Sequence, residues 1–395
     1  MSYPILYLKP GKEESLKRFH PWVFSGAIAR TGEEPEEGEV VEVHTSQKEF
    51  IAEGHYQIGG ITVRILSFER EIIDAGFWKR KLEAAYNVRK SIGLAHGINN
   101  DVYRLVNGEG DNLSGLIIDV YGKTAVMQAH SAGMHRERMA VAQALAEVTD
   151  GDMEHIYYKS ETTLHFETDV YPENGFLIGG NPDNIAQENG LRFHVDWLKG
   201  QKTGFFVDQR ENRVLLERYA EGRSVLNMFC YTGAFSLYAM RGGAKRVHSV
   251  DSSAKAVELT NQNMALNFSG DSRHTAFAGD AFKYLDEMEY GAYDLIVLDP
   301  PAFAKHREVL HSGLQGYRKL NAKAFEKMRS GGILFTFSCS QVVTKDNFRT
   351  TVFTAAATAK RNVRILHQLT QPADHPVNIY HPEGEYLKGL VLYVE

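Results

Sequence analysis

Three strand-like runs in the C-terminal half of this 395-residue chain each stop at an aspartate. Arg246-Val247-His248-Ser249-Val250 stops at Asp251, Thr275-Ala276-Phe277-Ala278-Gly279 at Asp280, and Tyr293-Asp294-Leu295-Ile296-Val297-Leu298 at Asp299. The third is an almost continuous apolar run, the mark of a strand buried on both faces. Such strands alternating with helical stretches predict an open parallel sheet, whose ligands sit at the carboxyl ends of its strands. An acid at the tip of the second strand suits ribose hydroxyls, and one at Asp280 suits an adenine amino group. Asp251 also fits as the N-cap of the next helix, Ser252 to Asn267, but three acids on one edge are hard to explain as three caps.

The first strand of this sheet runs into Asn227-Met228-Phe229-Cys230-Tyr231-Thr232-Gly233-Ala234-Phe235-Ser236, read as strand, tight turn and helix. Such a turn aims backbone N–H groups and the positive helix end at whatever lies above it. It has one glycine where a nucleoside-triphosphate loop would have the spacing G-x-x-x-x-G-K-[ST], and it falls short of G-x-G-x-x-G. A smaller, less anionic nucleotide is expected, with S-adenosylmethionine the candidate. Asn227, Phe229, Tyr231, Thr232 and Gly233 would line it from the turn. Asp251 and Ser252 would join them from the second strand, Asp280 from the third, and Asp299 and Pro300 from the fourth.

A helix around Tyr317–Met328, a stop at Ser330-Gly331-Gly332 and a strand Ile333–Phe337 lead to Ser338-Cys339-Ser340. Cys339 therefore stands at a strand tip on the edge that carries Asp299. A lone cysteine is often a buried small apolar residue. Its place here, between two hydroxyls and facing a cofactor edge, makes it a candidate nucleophile. Cys230, inside the first turn, reads as a space-filler.

These residues carry a family resemblance. Lys202-Thr203-Gly204-Phe205-Phe206-Val207-Asp208-Gln209-Arg210-Glu211-Asn212-Arg213 resembles a signature of bacterial ribosomal RNA methyltransferases. Asn227–Ser236, Asp299-Pro300-Pro301, Phe337-Ser338-Cys339-Ser340, Ala373-Asp374-His375-Pro376 and Pro382-Glu383-Gly384-Glu385-Tyr386-Leu387-Lys388-Gly389 do so too. Together they resemble the RlmI type, the 23S ribosomal RNA cytosine-C5 methyltransferases, densely in the C-terminal half and more loosely at the start. The resemblance implies S-adenosylmethionine as cofactor, with Phe206, Asp208 and Gln209 against it. Asp208 serves equally as a helix N-cap.

The chemistry implied is a Cys339 thiolate adding to C6 of the base, with Asp299 on its N3/N4 edge. His375 is a neighbour of Cys339 by motif only, and the base for the C5 proton is unassigned. Pro301 stands where some cytosine-C5 enzymes carry their nucleophile, which leaves Cys339. Two rivals remain. Asp299-Pro300-Pro301 followed by Phe303 also fits methylation of a base nitrogen without a covalent step, and a non-catalytic RNA-binding protein could keep the fold.

The N-terminal part reads differently. Short strands at Ile5–Leu8, Glu39–Val43, Phe50–Tyr56 and Thr62–Leu66, punctuated by glycines, predict a small β-barrel over residues 1–75. Arg18 to Ile28 resembles the opening of a PUA domain, a small RNA-binding barrel, with Arg18, His20 and Arg64 as candidate RNA contacts. Trp22 and Phe24 are expected in its core. Residues 76–188, led by an amphipathic helix Ile72–Ile92, predict a small α+β domain. Residues 189–395 predict the Rossmann-like α/β methyltransferase domain, with a leading hairpin Gln187–Phe206 that turns near Lys199-Gly200.

Composition adds exclusions. No apolar run reaches the roughly 18 residues that span a bilayer, and the opening residues lack a basic patch followed by an apolar stretch. Two cysteines outside any pair motif point to a reducing cytoplasm and predict no metal site. A net charge of −6 counts against a nucleic-acid partner, although a local positive surface can exist on an acidic chain. The expected partner is 23S ribosomal RNA or a large-subunit precursor, with no membrane, and a homodimer is an open expectation.

Overall fold

Period-two patterning in the first seventy residues builds a six-stranded sheet. β1 (Ile5–Leu8), β2 (Trp22–Phe24), β3 (Ile28–Thr31), β4 (Val40–His44), β5 (Phe50–Tyr56) and β6 (Ile61–Ser67) lie in the order β2-β6-β5-β4-β1-β3. Only β1 beside β4 is parallel. Leu6, Val41, Val43, Ala52 and Val63 are fully buried and form its core. The computed structural model describes residues 3–32, 34–164, 173–180 and 182–395. Contacts divide the chain into two units, Met1–Gly190 with Val195–Val207 and Ala373–Gly384, and Leu191–His194 with Asp208–Pro372 and Glu385–Glu395.

The first unit also holds a five-stranded sheet. After α1 (Glu14–Lys17), which lies between β1 and β2, α2 (Ala75–Ser91) starts at Asp74, whose side chain accepts from Phe77 N–H. The sequence reading began this helix at Ile72, but a capping acid sets the boundary. Then come β7 (Val102–Asn107), β8 (Leu116–Tyr121), β9 (Thr124–Ala129), α3 (Ala132–Arg136), α4 (Arg138–Val148), β10 (His155–Tyr158), β11 (Gly175–Ile178) and β12 (Ile185–Glu188). Their sheet order is β11-β10-β9-β8-β7. Helices α2 and α4 bury Phe77, Trp78, Leu82 and Leu145 in the same core.

Buried ion pairs lie inside this unit. Asp119, with no exposed surface, accepts from Arg104 Nε at 2.7 Å and Nη2 at 2.9 Å, and from Thr203 Oγ1 at 2.6 Å. Arg89, equally buried, donates to Asp111 Oδ2 at 2.8 Å and to Asp374 O at 2.7 Å. Asp374 Oδ2 in turn accepts from Arg104 N–H at 2.9 Å. These bonds seat the segment Ala373–Gly384 in the first unit.

In the second unit β13 (Leu191–His194) lies along α7 (Ala254–Asn267), where Asn263 Oδ1 accepts from His194 N–H at 2.8 Å. The main sheet contains β14 (Ser224–Met228), β15 (Arg246–Asp251), β16 (His274–Ala278), β17 (Leu295–Leu298), β18 (Gly332–Ser338), β19 (Val363–Leu369) and β20 (Lys388–Val394). Their order is β16-β15-β14-β17-β18-β20-β19. The first five are parallel, and β20 runs antiparallel to β18 and β19. Helices α5 (Arg210–Ala220), α6 (Ala234–Arg241), α7, α8 (Ala281–Glu287), α9 (Leu310–Lys327) and α10 (Lys345–Thr358) complete it. Every residue of β14, β17 and β18 is buried, which is why β17 reads as a continuous apolar run. Strand order reverses between β14 and β17, so the crevice beyond their carboxyl ends is the natural ligand position.

Two sequence expectations change. The hairpin turn predicted near Lys199-Gly200 falls at Asn189-Gly190, between β12 and β13, and both residues have positive φ, 49° and 85°. An Asn-Gly pair is the residue choice such a two-residue turn requires. Phe24, expected in the barrel core, is 49% exposed, and Trp22 is half-buried. Among the described residues no helix is long and apolar enough to cross a membrane.

Candidate cofactor and active site

The turn after β14 is held in an uncommon backbone shape. Phe229 and Tyr231 have φ of 58° and 47°, left-handed values that cost a non-glycine residue about 1 kcal/mol or more. The surroundings enforce them. Cys230 N–H donates to Val250 O at 3.1 Å, Tyr231 N–H to Asp251 Oδ2 at 2.9 Å, and Thr260 Oγ1 to Tyr231 O at 2.9 Å. Asn263 Nδ2 donates to Thr232 O at 3.0 Å. Gly233, at φ 78°, opens α6, and a Cβ there would stand 2.5 Å from Thr260 Cγ2. Strain concentrated at a strand-to-helix turn on the ligand edge is a mark of a binding loop.

Asp251 is oriented from both sides, with Oδ1 accepting from Ser253 N–H at 2.9 Å and Oδ2 from Tyr231. Each carboxylate oxygen keeps a further lone pair for a hydroxyl donor. Ser252 is exposed beside it. Asp280 lies two residues beyond the end of β16 and caps α8 through Oδ1, which accepts from Lys283 N–H at 2.8 Å. It is exposed, and the neighbouring Gly279 N–H donates to Asp251 O at 2.9 Å, which ties the two strand ends together. Asn227 is buried in β14, with Nδ2 on Ser236 Oγ at 2.9 Å and Oδ1 without a hydrogen-bond partner.

Asp208 and Gln209 precede α5 in the same unit. Asp208 Oδ2 accepts from Tyr386 OH at 2.7 Å, while its buried Oδ1 has no partner. Gln209 is buried, accepts from Asn212 Nδ2 at 2.6 Å, and its side chain hydrogen-bonds Asp299. Phe206 is half-buried and groups with the first unit, two residues before Asp208. Asp299 follows β17, with Pro300 buried and Pro301 exposed. Burial, then the charge of Asp208, pushes the Asp299 carboxyl up to about 7, against the opposing Gln209 bond and Arg213 charge.

Cys339 follows β18, the strand paired with β17. It is half-buried. Burial first, then Asp299 and Asp208, pushes its thiol up to about 11, while its own backbone and the Lys388 cation pull it down. Lys388 opens β20 with its Cα opposite Ser338. Its buried Nζ donates to Ser340 O at 2.5 Å and Tyr386 O at 2.6 Å, and burial lowers it to about 8. The sequence reading gave Lys388 no role. Its signal was a lone lysine opening an otherwise apolar strand, a charge that burial obliges to find partners. Tyr317, on α9, adds a hydroxyl that accepts from Phe303 N–H at 3.4 Å and hydrogen-bonds Ser338. Cys230 is the inert thiol, buried and pushed up to about 12.

The remaining candidates lie in the first unit. His375 groups there, buried, with Nδ1 3.2 Å from Asp374 Oδ1, whereas the charged groups acting on Cys339 are Asp299, Asp208 and Lys388. Arg18 is exposed. Arg64 is half-buried, with Nη1 on Gln57 Oε1 at 2.9 Å. His20 is half-buried with Nδ1 3.3 Å from Trp22 O.

Residues 175–382 match the family described as S-adenosylmethionine-dependent methyltransferase, and residues 6–68 match a PUA-like domain. The chain is 40% identical over 394 residues to ribosomal RNA large subunit methyltransferase I of Shewanella denitrificans, with 98% of each chain covered. It is 38% identical over 394 residues, with the same coverage, to the protein of that name from Aeromonas hydrophila. Among solved structures, a protein described as a SAM-dependent methyltransferase from Streptococcus mutans superposes with a TM-score of 0.84 at 23% identity. A methyltransferase complexed with SAH does so with a TM-score of 0.85 at 24% identity. Both cover 99% of this chain and 100% of their own, and they show the fold.

Proposed function

The chain belongs to the S-adenosylmethionine-dependent methyltransferase family, with the ribosomal RNA large subunit methyltransferase I proteins, and on that premise we propose that it methylates carbon 5 of a cytosine in 23S ribosomal RNA. The observation that carries the base and atom is the placement of Cys339 and Asp299 at the tips of adjacent strands, with the Asp299 charge acting on the thiol.

The donor set fits the cofactor. The strand ends offer the oriented Asp251 carboxylate, and the buried Oδ1 atoms of Asp208 and Asn227 have no protein partner. Acceptors suit ribose hydroxyls, an ammonium and a sulfonium, and they repel phosphates. In this reading Asp251 takes the ribose, the turn from Phe229 to Gly233 gives backbone groups, and Asp280 stands by the adenine. Bound there, S-adenosylmethionine supplies an electrophilic methyl group.

Cytosine C5 is a poor nucleophile until the ring is activated. The Cys339 thiolate adds to C6, forming an Sγ–C6 bond and moving the ring electrons toward C5. Asp299, raised to about 7, holds its proton readily enough to donate to N3, and as the anion it accepts from the N4 amino group. A protonated Lys388 stabilises the thiolate from the neighbouring strand. C5 then takes the methyl group with release of S-adenosylhomocysteine, water accepts the C5 proton, the N3 proton returns to Asp299, the Sγ–C6 bond breaks and the thiolate returns. The barrel of residues 1–75 supplies RNA contacts, with exposed Arg18 and Phe19 the best placed to meet them.

The thiol, pushed up to about 11 by burial, favours one second reading, methylation of a base nitrogen gripped by Asp299-Pro300-Pro301 with Phe303 following in sequence and no thiolate needed. The deciding experiment is methyl transfer from labelled cofactor to ribosomal RNA by the wild type and by Cys339→Ala, followed by nucleoside analysis. Labelled 5-methylcytidine that vanishes in the variant supports the covalent route. Full activity in the variant overturns it in favour of nitrogen methylation.

A further inference from the structure

A cluster in the first unit has no part in this chemistry. His20 follows α1, and His381 and Glu383 lie on the returning segment Ala373–Gly384. His20 Nε2 stands 3.8 Å from Glu383 Oε1, and His381 Nε2 stands 3.9 Å from Glu383 Oε2. One donor atom from each residue lies within 4.8 Å of the others. Tetrahedral ligands about 2.1 Å from a zinc ion stand about 3.4 Å apart, so closure needs small side-chain shifts, and Glu383 is exposed enough to make them.

An independent observation points to a ligand. His381 is 2% exposed, yet neither of its ring nitrogens has a hydrogen-bond partner. A buried imidazole is ordinarily satisfied. Its backbone is fixed, since His381 N–H donates to Asn378 O at 2.8 Å and Asn378 Nδ2 donates to Glu109 O at 3.2 Å. The Trp22 ring packs against it, centroids 4.3 Å apart. His20 Nδ1 lies 3.3 Å from Trp22 O and 3.2 Å from Trp22 N, which pins the ring, and the tautomer with Nδ1–H on the carbonyl turns the Nε2 lone pair to the cluster. A backbone carbonyl behind a histidine ligand is the usual support for one.

We propose that His20, His381 and Glu383 form a divalent metal site that fastens the returning segment to the six-stranded sheet. Two imidazoles and one carboxylate are a zinc donor set with a fourth position open. The cysteine count that predicted no metal site considers thiolate ligands only, and these three residues are too far apart in sequence to form a motif.

The test uses the full-length chain, stripped with a chelator and titrated with Zn²⁺ alone by calorimetry, beside Glu383→Gln and His381→Gln. The exposed Glu383 position keeps the test valid if the buried His381 variant fails to fold. One equivalent taken up by the wild type and at least tenfold weaker binding in Glu383→Gln is the expected result. Loading with Co²⁺ should give the visible spectrum of a tetrahedral site in the wild type and lose it in the variant. No stoichiometric uptake, or uptake unchanged in Glu383→Gln, overturns the site.

Discussion

Tyr386 donates its hydroxyl to Asp208 Oδ2 at 2.7 Å and leaves the other carboxylate oxygen, buried, with no partner. That one bond holds a carboxylate whose charge reaches both Asp299 and Cys339. Tyr386→Phe removes it without changing the shape of the ring. The expected loss is about 1–2 kcal/mol of stability, the cost of stripping a donor from a partly buried anion. Urea unfolding would show a lower midpoint at an unchanged slope, and a midpoint equal to the wild type would contradict the role.

Asp299 makes stability depend on pH. Its carboxyl is pushed up to about 7, mainly by burial, while an unfolded aspartate ionises near 3.9. Below about pH 4 both states carry the proton. Between there and pH 7 the unfolded chain releases a proton that the folded chain still holds, so stability falls as pH rises through that window, by at most about 4 kcal/mol. Asp299→Asn has no proton to lose. Its unfolding midpoint should decline less than that of the wild type between pH 4.5 and 7.5, and parallel declines would refute the assignment.

The sheet edge was legible in the sequence because the fully buried β17 reads as an apolar run and three strand-like runs are punctuated by Asp251, Asp280 and Asp299. Asp280 shows the limit of that signal, for the strand stops at Ala278 and the acid caps α8 instead. Lys388 was invisible for a different reason. It reaches Cys339 through the antiparallel pairing of β20 with β18, a non-local register that leaves no local pattern. The metal-ligand cluster is non-local in the same way, joining the barrel to a segment near the other end of the chain. Asn189-Gly190 carries a stronger turn signal than Lys199-Gly200, because both of its residues readily take the positive φ a two-residue turn requires.

Gly233 should tolerate no side chain. Its φ of 78° disfavours any L-residue, and a Cβ would overlap Thr260 Cγ2 at 2.5 Å. Gly233→Ala is expected to cost about 2–4 kcal/mol, from backbone strain and overpacking together. Thr260→Ser removes the offending methyl and retains the hydroxyl that donates to Tyr231 O. The double variant should therefore recover part of the loss, a coupling that thermal unfolding of the four proteins would measure. Strict additivity would place the cost elsewhere.

The charge balance at Cys339 can be read without RNA. Asp299 and Asp208 raise the thiol and Lys388 lowers it, so the two kinds of substitution act in opposite directions. Asp299→Asn should quicken alkylation of Cys339 by iodoacetamide at pH 8, and Lys388→Met should slow it, each several-fold. The thiolate fraction changes tenfold per pKa unit, and the lower nucleophilicity of a less basic thiolate offsets part of that. Peptide mass spectrometry separates Cys339 from Cys230, which burial keeps protonated at this pH. The same lysine variant should lower methyl transfer at least tenfold at pH 7, with partial recovery by Lys388→Arg. Equal alkylation rates in all three proteins would mean that these groups do not govern the thiol, and would remove Lys388 from the mechanism.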